Sequence, residues 1–347
     1  MSTTFLNSEP DTKSIADDVA SLRTEMRAIH CQMAQVQAEL NRRRNLLNWE
    51  HWVRRIVGIR LGCYQQYPTR PLQVPASYEQ VISLPSSIPL VSIVTPTYNH
   101  GQFLERTLKS VLDQAYPRLE YIVQDGGSHD DTPQILDRYR GRLHCAISAP
   151  DRGQTHALNL GFAHASGDIL AYLNSDDMLL PGTLSYVVRY FHDHPEVDVV
   201  YGHRVFIDSR DQEVGRWVLP RHSHSMLAWA DYVPQETMFW RRRVWDQVGA
   251  CFDESFQFAM DWDLLLRFRQ VGAKMVRLPR FLGAFRVHDQ QKSQAQLATI
   301  GEREMTRLRR RCHGRDVDRR EIRRGILGYL LRHSVCNRLY WLGLLRY

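Results

Sequence analysis

Between residues 90 and 181 four short apolar runs, at 91–94, 119–123, 144–148 and 169–173, each break off into polar or small residues. Segments with helical spacing, at 102–114, 132–139 and 154–164, lie between them. Strands that are short and apolar throughout, separated by helices, need cover on both faces, so the pattern requires an α/β fold with a mainly parallel sheet covered by helices. Sheets of that kind bind ligands outside the carboxyl ends of their strands. The four exits, Thr95-Pro96-Thr97-Tyr98-Asn99, Asp125-Gly126-Gly127-Ser128, Asp151-Arg152-Gly153-Gln154 and Asn174-Ser175-Asp176-Asp177, therefore face one edge. Each alone is an ordinary turn signal. Their succession within residues 95–177 marks a site.

The last exit says most about chemistry. Two adjacent carboxylates at a strand end offer hard oxygen ligands where a divalent cation can meet a diphosphate. The plain alternative is an acidic turn ahead of a helix starting at Pro181-Gly182.

Both ends of the chain differ from this middle. Ile15, Val19, Leu22, Met26, Ile29, Met33, Val36 and Leu40 step by four and three in alternation, a heptad seam. In a parallel pair of chains Asp18 would oppose Arg23 and Glu39 would oppose Arg44, so residues 1–50 read as a coiled-coil helix that makes a homo-oligomer of open number. A helix lying on its own catalytic domain is the alternative. Residues 51–89 read as an amphipathic segment with Trp49 and Trp52 at its edge, then a linker punctuated by Pro68, Pro71, Pro75, Pro85 and Pro89. Residues 301–347 carry thirteen Arg against five acidic residues and alone account for the chain's +7 balance. Arginine beside leucine and aromatic faces there fits a helical tail on an anionic membrane surface, or a tail packed on the core with its arginines outward. No nucleic-acid recognition motif accompanies the charge, so nucleic acid is not an expected partner.

No apolar run approaches the roughly 18 residues that cross a bilayer, and the polar start Met1-Ser2-Thr3-Thr4 lacks a signal-peptide pattern, so the expected location is the cytoplasm, peripheral on the membrane's inner face. Six cysteines without paired spacing read as free thiols. His192, His194, His222 and His224 lack cysteine partners and read as surface histidines.

The four exits, with Asp130, Ala157, Asn159, Gly161 and Gly167-Asp168, together resemble the family 2 glycosyltransferases with the GT-A fold. Downstream, Gly249 with Phe252-Asp253-Glu254 and Asp261-Trp262-Asp263-Leu264 resemble the family's acceptor-side segment, and Arg286-Val287-His288 its closing segment. The resemblance spans residues 90–293, taken as the catalytic domain, with 294–347 as the basic helical tail.

That resemblance implies an inverting, hexosyltransferase-like enzyme that moves a sugar from a UDP-, dTDP- or GDP-sugar to a saccharide or lipid-linked acceptor in surface-polysaccharide synthesis. It implies donor binding by Thr95, Pro96, Thr97, Tyr98, Asp125, Asp151, Arg152, Gly153 and Asp176, with Asp176 at the ribose or metal. Mn²⁺ or Mg²⁺ would sit at Asp177 with His288, and Asp261 would be the general base. Gln235, Glu236 and Asp263 are the acceptor-side candidates. Asp261 and Asp263 lie about 200° apart on a helix, so only one can face the acceptor, and Asp263 is placed to pair with Arg267. Where many members carry a second acid, this chain has Gly126, which leaves the donor base open. A sugar nucleotidyltransferase and a non-catalytic scaffold are the rival readings. The first would release pyrophosphate, and the second would bind a nucleotide sugar without turning it over.

Overall fold

The computed structural model describes residue 58, residues 60–288 and residues 300–347. The heptad seam and the Trp-rich segment after it fall outside the described residues. The chain divides into two units, Met1–Val57 and Gly58–Tyr347, and the second carries the sheet.

The first half follows the expected alternation: β1 (Val91–Thr97), α1 (Gly101–Leu112), β2 (Leu119–Asp125), α2 (Thr132–Tyr139), β3 (Cys145–Ser148), α3 (Gln154–Phe162) and β4 (Ile169–Tyr172). These strands lie in the order β3-β2-β1-β4, all parallel. Every residue of β1 is buried because its pleat is covered twice. Val91 and Ile93 join Leu104 and Leu108 of α1 on one face, while Val94 joins Leu158 and Phe162 of α3 on the other.

Beyond β4 come β5 (Met178–Leu179), α4 (Thr183–Asp193), β6 (Val199–Ile207), β7 (Glu213–Trp217), α5 (His224–Leu227), β8 (Phe239–Arg241), α6 (Arg242–Gln247), α7 (Met260–Gln270) and β9 (Met275–Arg286). This half is mixed, not mainly parallel. β8 runs antiparallel between β4 and β6, β9 runs parallel to β6, and β5 and β7 close the far side antiparallel, giving a nine-stranded sheet. Register shifts around His203 bend the β6–β9 pair. The bend curls β5 back into reach. β5 pairs Met178 with Ala284 and Leu179 with Gly283, and extending that register by two residues sets Asp176 across from Arg286. Position 283 must be glycine, since a Cβ there would lie 2.8 Å from Glu236 Cγ.

The proline-punctuated stretch lies against the sheet. Arg70 bridges Glu213 of β7, and the Tyr78 hydroxyl accepts from the Phe281 N–H at 2.9 Å. Two helices, α8 (Glu302–His313) and α9 (Arg319–Trp341), close the chain, and Leu308, Tyr329 and His333 are buried beneath them. Among the described residues no helix is long and apolar enough to cross a membrane.

Candidate active site

The three donor-side exits meet at the carboxyl ends of β1, β2 and β3. Not every expected residue faces outward. Thr95 is wholly buried, its hydroxyl 3.0 Å from that of Tyr121, and Pro96 and Thr97 complete a buried strand. Tyr98 is 56% exposed at the tip. Asp125 is closed off, its carboxylate accepting from the Ser128 N–H and from the hydroxyls of Ser128 and Ser148. Asp151 accepts from the Gly153 N–H at 2.7 Å, and Gly153, at φ +108°, starts α3. A Cβ at Gly126 would fall 2.7 Å from Asp151 Oδ2 and 3.3 Å from the Tyr98 ring. The Asp151 carboxylate thus fills the space that a second acid at 126 would need. Arg152 is exposed and pairs with Glu254 at 2.7 Å, not with its neighbour Asp151.

At the fourth exit the two aspartates separate. Asp177 is 1% exposed, and its Oδ1 accepts from the Arg286 N–H at 3.0 Å. Burial, then the Asp176 and Glu236 carboxylates, push its carboxyl well above the usual carboxylate range, against the Arg286 N–H and Arg204. Asp176 is the one that meets His288, with Oδ2 3.0 Å from Nε2. The structure thus brings His288 to Asp176, where the resemblance had set His288 with Asp177 around a metal. Asp176 lies in the turn ahead of β5 and meets His288, while Asp177, next to β5, is held inward by the Arg286 N–H of β9.

The loop is held from several sides. The Thr107 hydroxyl donates to the carbonyls of Ser175 and Asp177, Arg286 Nε donates to the Asp176 carbonyl at 2.7 Å, and His100 Nδ1 lies 2.8 Å from the Ser175 hydroxyl. The His288 ring packs 4.7 Å from Phe103. Among the described residues no group of three or more His, Cys, Asp or Glu converges as a metal site. A carboxylate and an imidazole together still fit a cation that takes its other ligands from diphosphate and water.

The acceptor-side candidates divide likewise. Asp261 is half-buried in the first turn of α7, with Oδ1 accepting from the Trp262 N–H at 2.8 Å. Asp263 is wholly buried between Arg267 at 2.8 Å and Arg311 at 2.6 Å, ion pairs of which Arg267 was the foreseen half. Glu236 is also internal, 2% exposed in a bidentate pair with Arg204. Gln235 bridges Asn174 at 3.1 Å and the Tyr172 carbonyl at 2.7 Å, joining this side to the aspartate loop.

Two acids escaped the sequence reading. Asp231 is exposed to solvent although protein crowds it. That crowding, then the Asp261 carboxylate, holds its carboxyl well above the usual range. Tyr172 lies among Asp261, Asp231, Asp177 and Glu236, which add to burial in raising its hydroxyl, so the two halves of the site adjoin. Glu304 of α8, 7% exposed, accepts from the N–H groups of Gln257, Phe258 and Ala259 at 2.8, 2.9 and 2.9 Å and fixes the chain entering α7 just ahead of Asp261. The histidine expectation changes in one place. His222 is half-buried, 3.0 Å from the hydroxyls of Tyr201 and Tyr232.

The sequence model described as Glycosyl transferase family 2 matches residues 92–252, which run from β1 through the aspartate loop to the start of the acceptor side. An uncharacterised glycosyltransferase of Mycobacterium tuberculosis is 34% identical over 188 residues, covering 52% of this chain and 70% of the relative. The O-antigen biosynthesis protein RfbC of Myxococcus xanthus is 30% identical over 204 residues, 57% of this chain and 16% of that much longer protein. Among solved structures, the mannosyltransferase PcManGT of Pyrobaculum calidifontis, in complex with GDP-Man and Mn²⁺, aligns over 77% of this chain and 79% of its own with a TM-score of 0.52 at 20% identity, a likeness of fold. The curled mixed sheet is accordingly of the GT-A class, and the chain, an enzyme of the glycosyltransferase kind, belongs to glycosyl transferase family 2.

Proposed function

We propose that this glycosyltransferase moves a sugar, with inversion, from a nucleoside diphosphate donor to a hydroxyl of a saccharide or lipid-linked saccharide in surface-polysaccharide synthesis. The observation that carries the reading is the 3.0 Å approach of His288 Nε2 to Asp176 Oδ2 at the fourth strand exit. Asp176 and His288 would hold a divalent cation, Mn²⁺ suiting the imidazole, and such an ion neutralises charge gathering on a departing diphosphate.

The other roles belong to the protein's own groups. Tyr98 and Asp151, side by side over Gly126, would receive the base or ribose. Asp177, held by the Arg286 N–H, would brace the loop that presents Asp176 to the cation. Asp261 would take the proton from the acceptor hydroxyl as that oxygen attacks the anomeric carbon opposite the leaving group. The polysaccharide setting is supported by the relative named for O-antigen biosynthesis.

Asp261→Asn tests the central role. With nucleotide sugar and Mn²⁺ it should bind donor within about threefold of wild type yet transfer at least about 100-fold more slowly, the range general-base loss spans. Unaltered transfer would remove Asp261 from the reaction.

A further inference from the structure

The helix α9 is buried on one side and unusually apolar on the other. Tyr329, His333, Ser334 and Asn337 are at most 5% exposed and seat it on the sheet, where the Tyr340 hydroxyl accepts from Arg216 at 2.6 Å. On the opposite side Leu327, Leu331 and Val335 are 53%, 52% and 56% exposed, and past the helix Leu342 and Leu344 are 72% and 69% exposed. Residues four apart lie one above another on a helix, so the aliphatic side chains form a ridge, and Arg320, Arg324 and Arg338 share it by the same spacing.

Charge on this ridge is one-sided. Glu321 is the only acidic residue from position 319 to Tyr347, and it pairs with Arg315. Arg310 and Arg319 pair with Asp316 and Glu302, whereas Arg320, Arg324, Arg332 and Arg346 have no carboxylate partner among the described residues. Guanidinium groups flanking a run of aliphatic side chains along a single line match a headgroup layer, phosphate beside acyl chain, with Trp341 at the end in the amphipathic position that interfaces favour. A second copy of the same ridge would bring arginine against arginine.

We propose that the outer face of α9 docks on an anionic lipid surface. The opposite, buried side of α9 packs near the acceptor side: the Tyr329 ring lies 4.5 Å from Tyr232, the neighbour of Asp231.

Flotation of the full chain with phosphatidylcholine vesicles, with and without phosphatidylglycerol, is the test. Binding is expected with phosphatidylglycerol only, falling as salt rises. Leu327→Glu with Leu331→Glu, both at exposed positions, should abolish it. Arg320→Glu with Arg324→Glu should weaken it at least about 25-fold, some fivefold per arginine removed. Melting temperature and donor binding of both variants should match wild type, which separates a failed docking surface from a failed fold or a failed reaction assignment. Binding that the leucine variant retains, equal binding to neutral vesicles, or no binding at all would overturn the proposal. So would a lower mass of the leucine variant by light scattering without vesicles, which would make the ridge a contact between copies.

Discussion

Asp177→Asn and Asp176→Asn, two substitutions one residue apart, should act in opposite ways. Asp177 is 1% exposed, accepts one N–H at 3.0 Å from Arg286 and a long contact at 3.4 Å from Asn174, and lies close to Asp176 and Glu236. Its folded-state pKa is raised, so the stability it contributes is full below the unfolded value and is lost as pH climbs through the folded one. Near neutral pH its charge is a cost. An asparagine keeps the acceptor toward Arg286 and removes the repulsion, which should add about 1–3 kcal/mol, the scale of relieving one poorly compensated buried polar group. At about 2–4 °C per kcal/mol for a domain of this size, the melting temperature should rise by roughly 2–12 °C. Donor with Mn²⁺ at about 100 times its dissociation constant should still add about 2.7 kcal/mol to Asp177→Asn, as to wild type. Asp176→Asn should lose that ligand-induced shift. Differential scanning fluorimetry at pH 7.5, with and without nucleotide sugar and Mn²⁺, reads both effects. A variant at 177 that loses the ligand shift, beside one at 176 that keeps it, would refute the assignment.

Glu304→Gln should disturb the base without touching substrate. A single amide oxygen cannot serve three N–H donors as a carboxylate does, so about 2–4 kcal/mol of stability should go, and kcat should fall with donor KM unchanged; normal kcat in a fully folded variant would contradict the positioning. Burial also depresses the pKa of His333 to about 4. The unfolded chain then binds more protons between about pH 6.5 and 4, so stability present above the unfolded value should fall by about 3 kcal/mol by pH 4, read as a lower denaturant midpoint and removed in His333→Gln.

The first half of the fold was legible because each of its strands is a short apolar block and each helix shows its period. Much of the second half was not. β5 has two residues and no periodicity of its own, and β9 is interrupted by Arg277, Pro279 and Arg280, which a pattern reading takes for a break. Since β5 and β9 decide which aspartate faces His288, the adjacency of Asp176 and Asp177 could locate the site but not divide the roles. Arg152 and Glu236 were read as candidates to meet ligand, and Asp263 was expected to pair with Arg267 alone. Their partners Glu254, Arg204 and Arg311 lie 102, 32 and 48 residues away, and no local pattern announces such pairs. Asp231 and Glu304 carried no motif. The one local hint was an acid beside the apolar residues Tyr232 and Val233.

Asp176 and His288 stand 112 positions apart, yet they meet because β5 and β9 run side by side in opposite directions. A chain still emerging from the ribosome would complete its first four strands and nucleotide loops long before His288 was synthesised. Any fragment ending ahead of β9 has one half of the pair and no ladder to turn it, so gain of Mn²⁺ response along a series of C-terminal truncations would date the moment the site becomes whole.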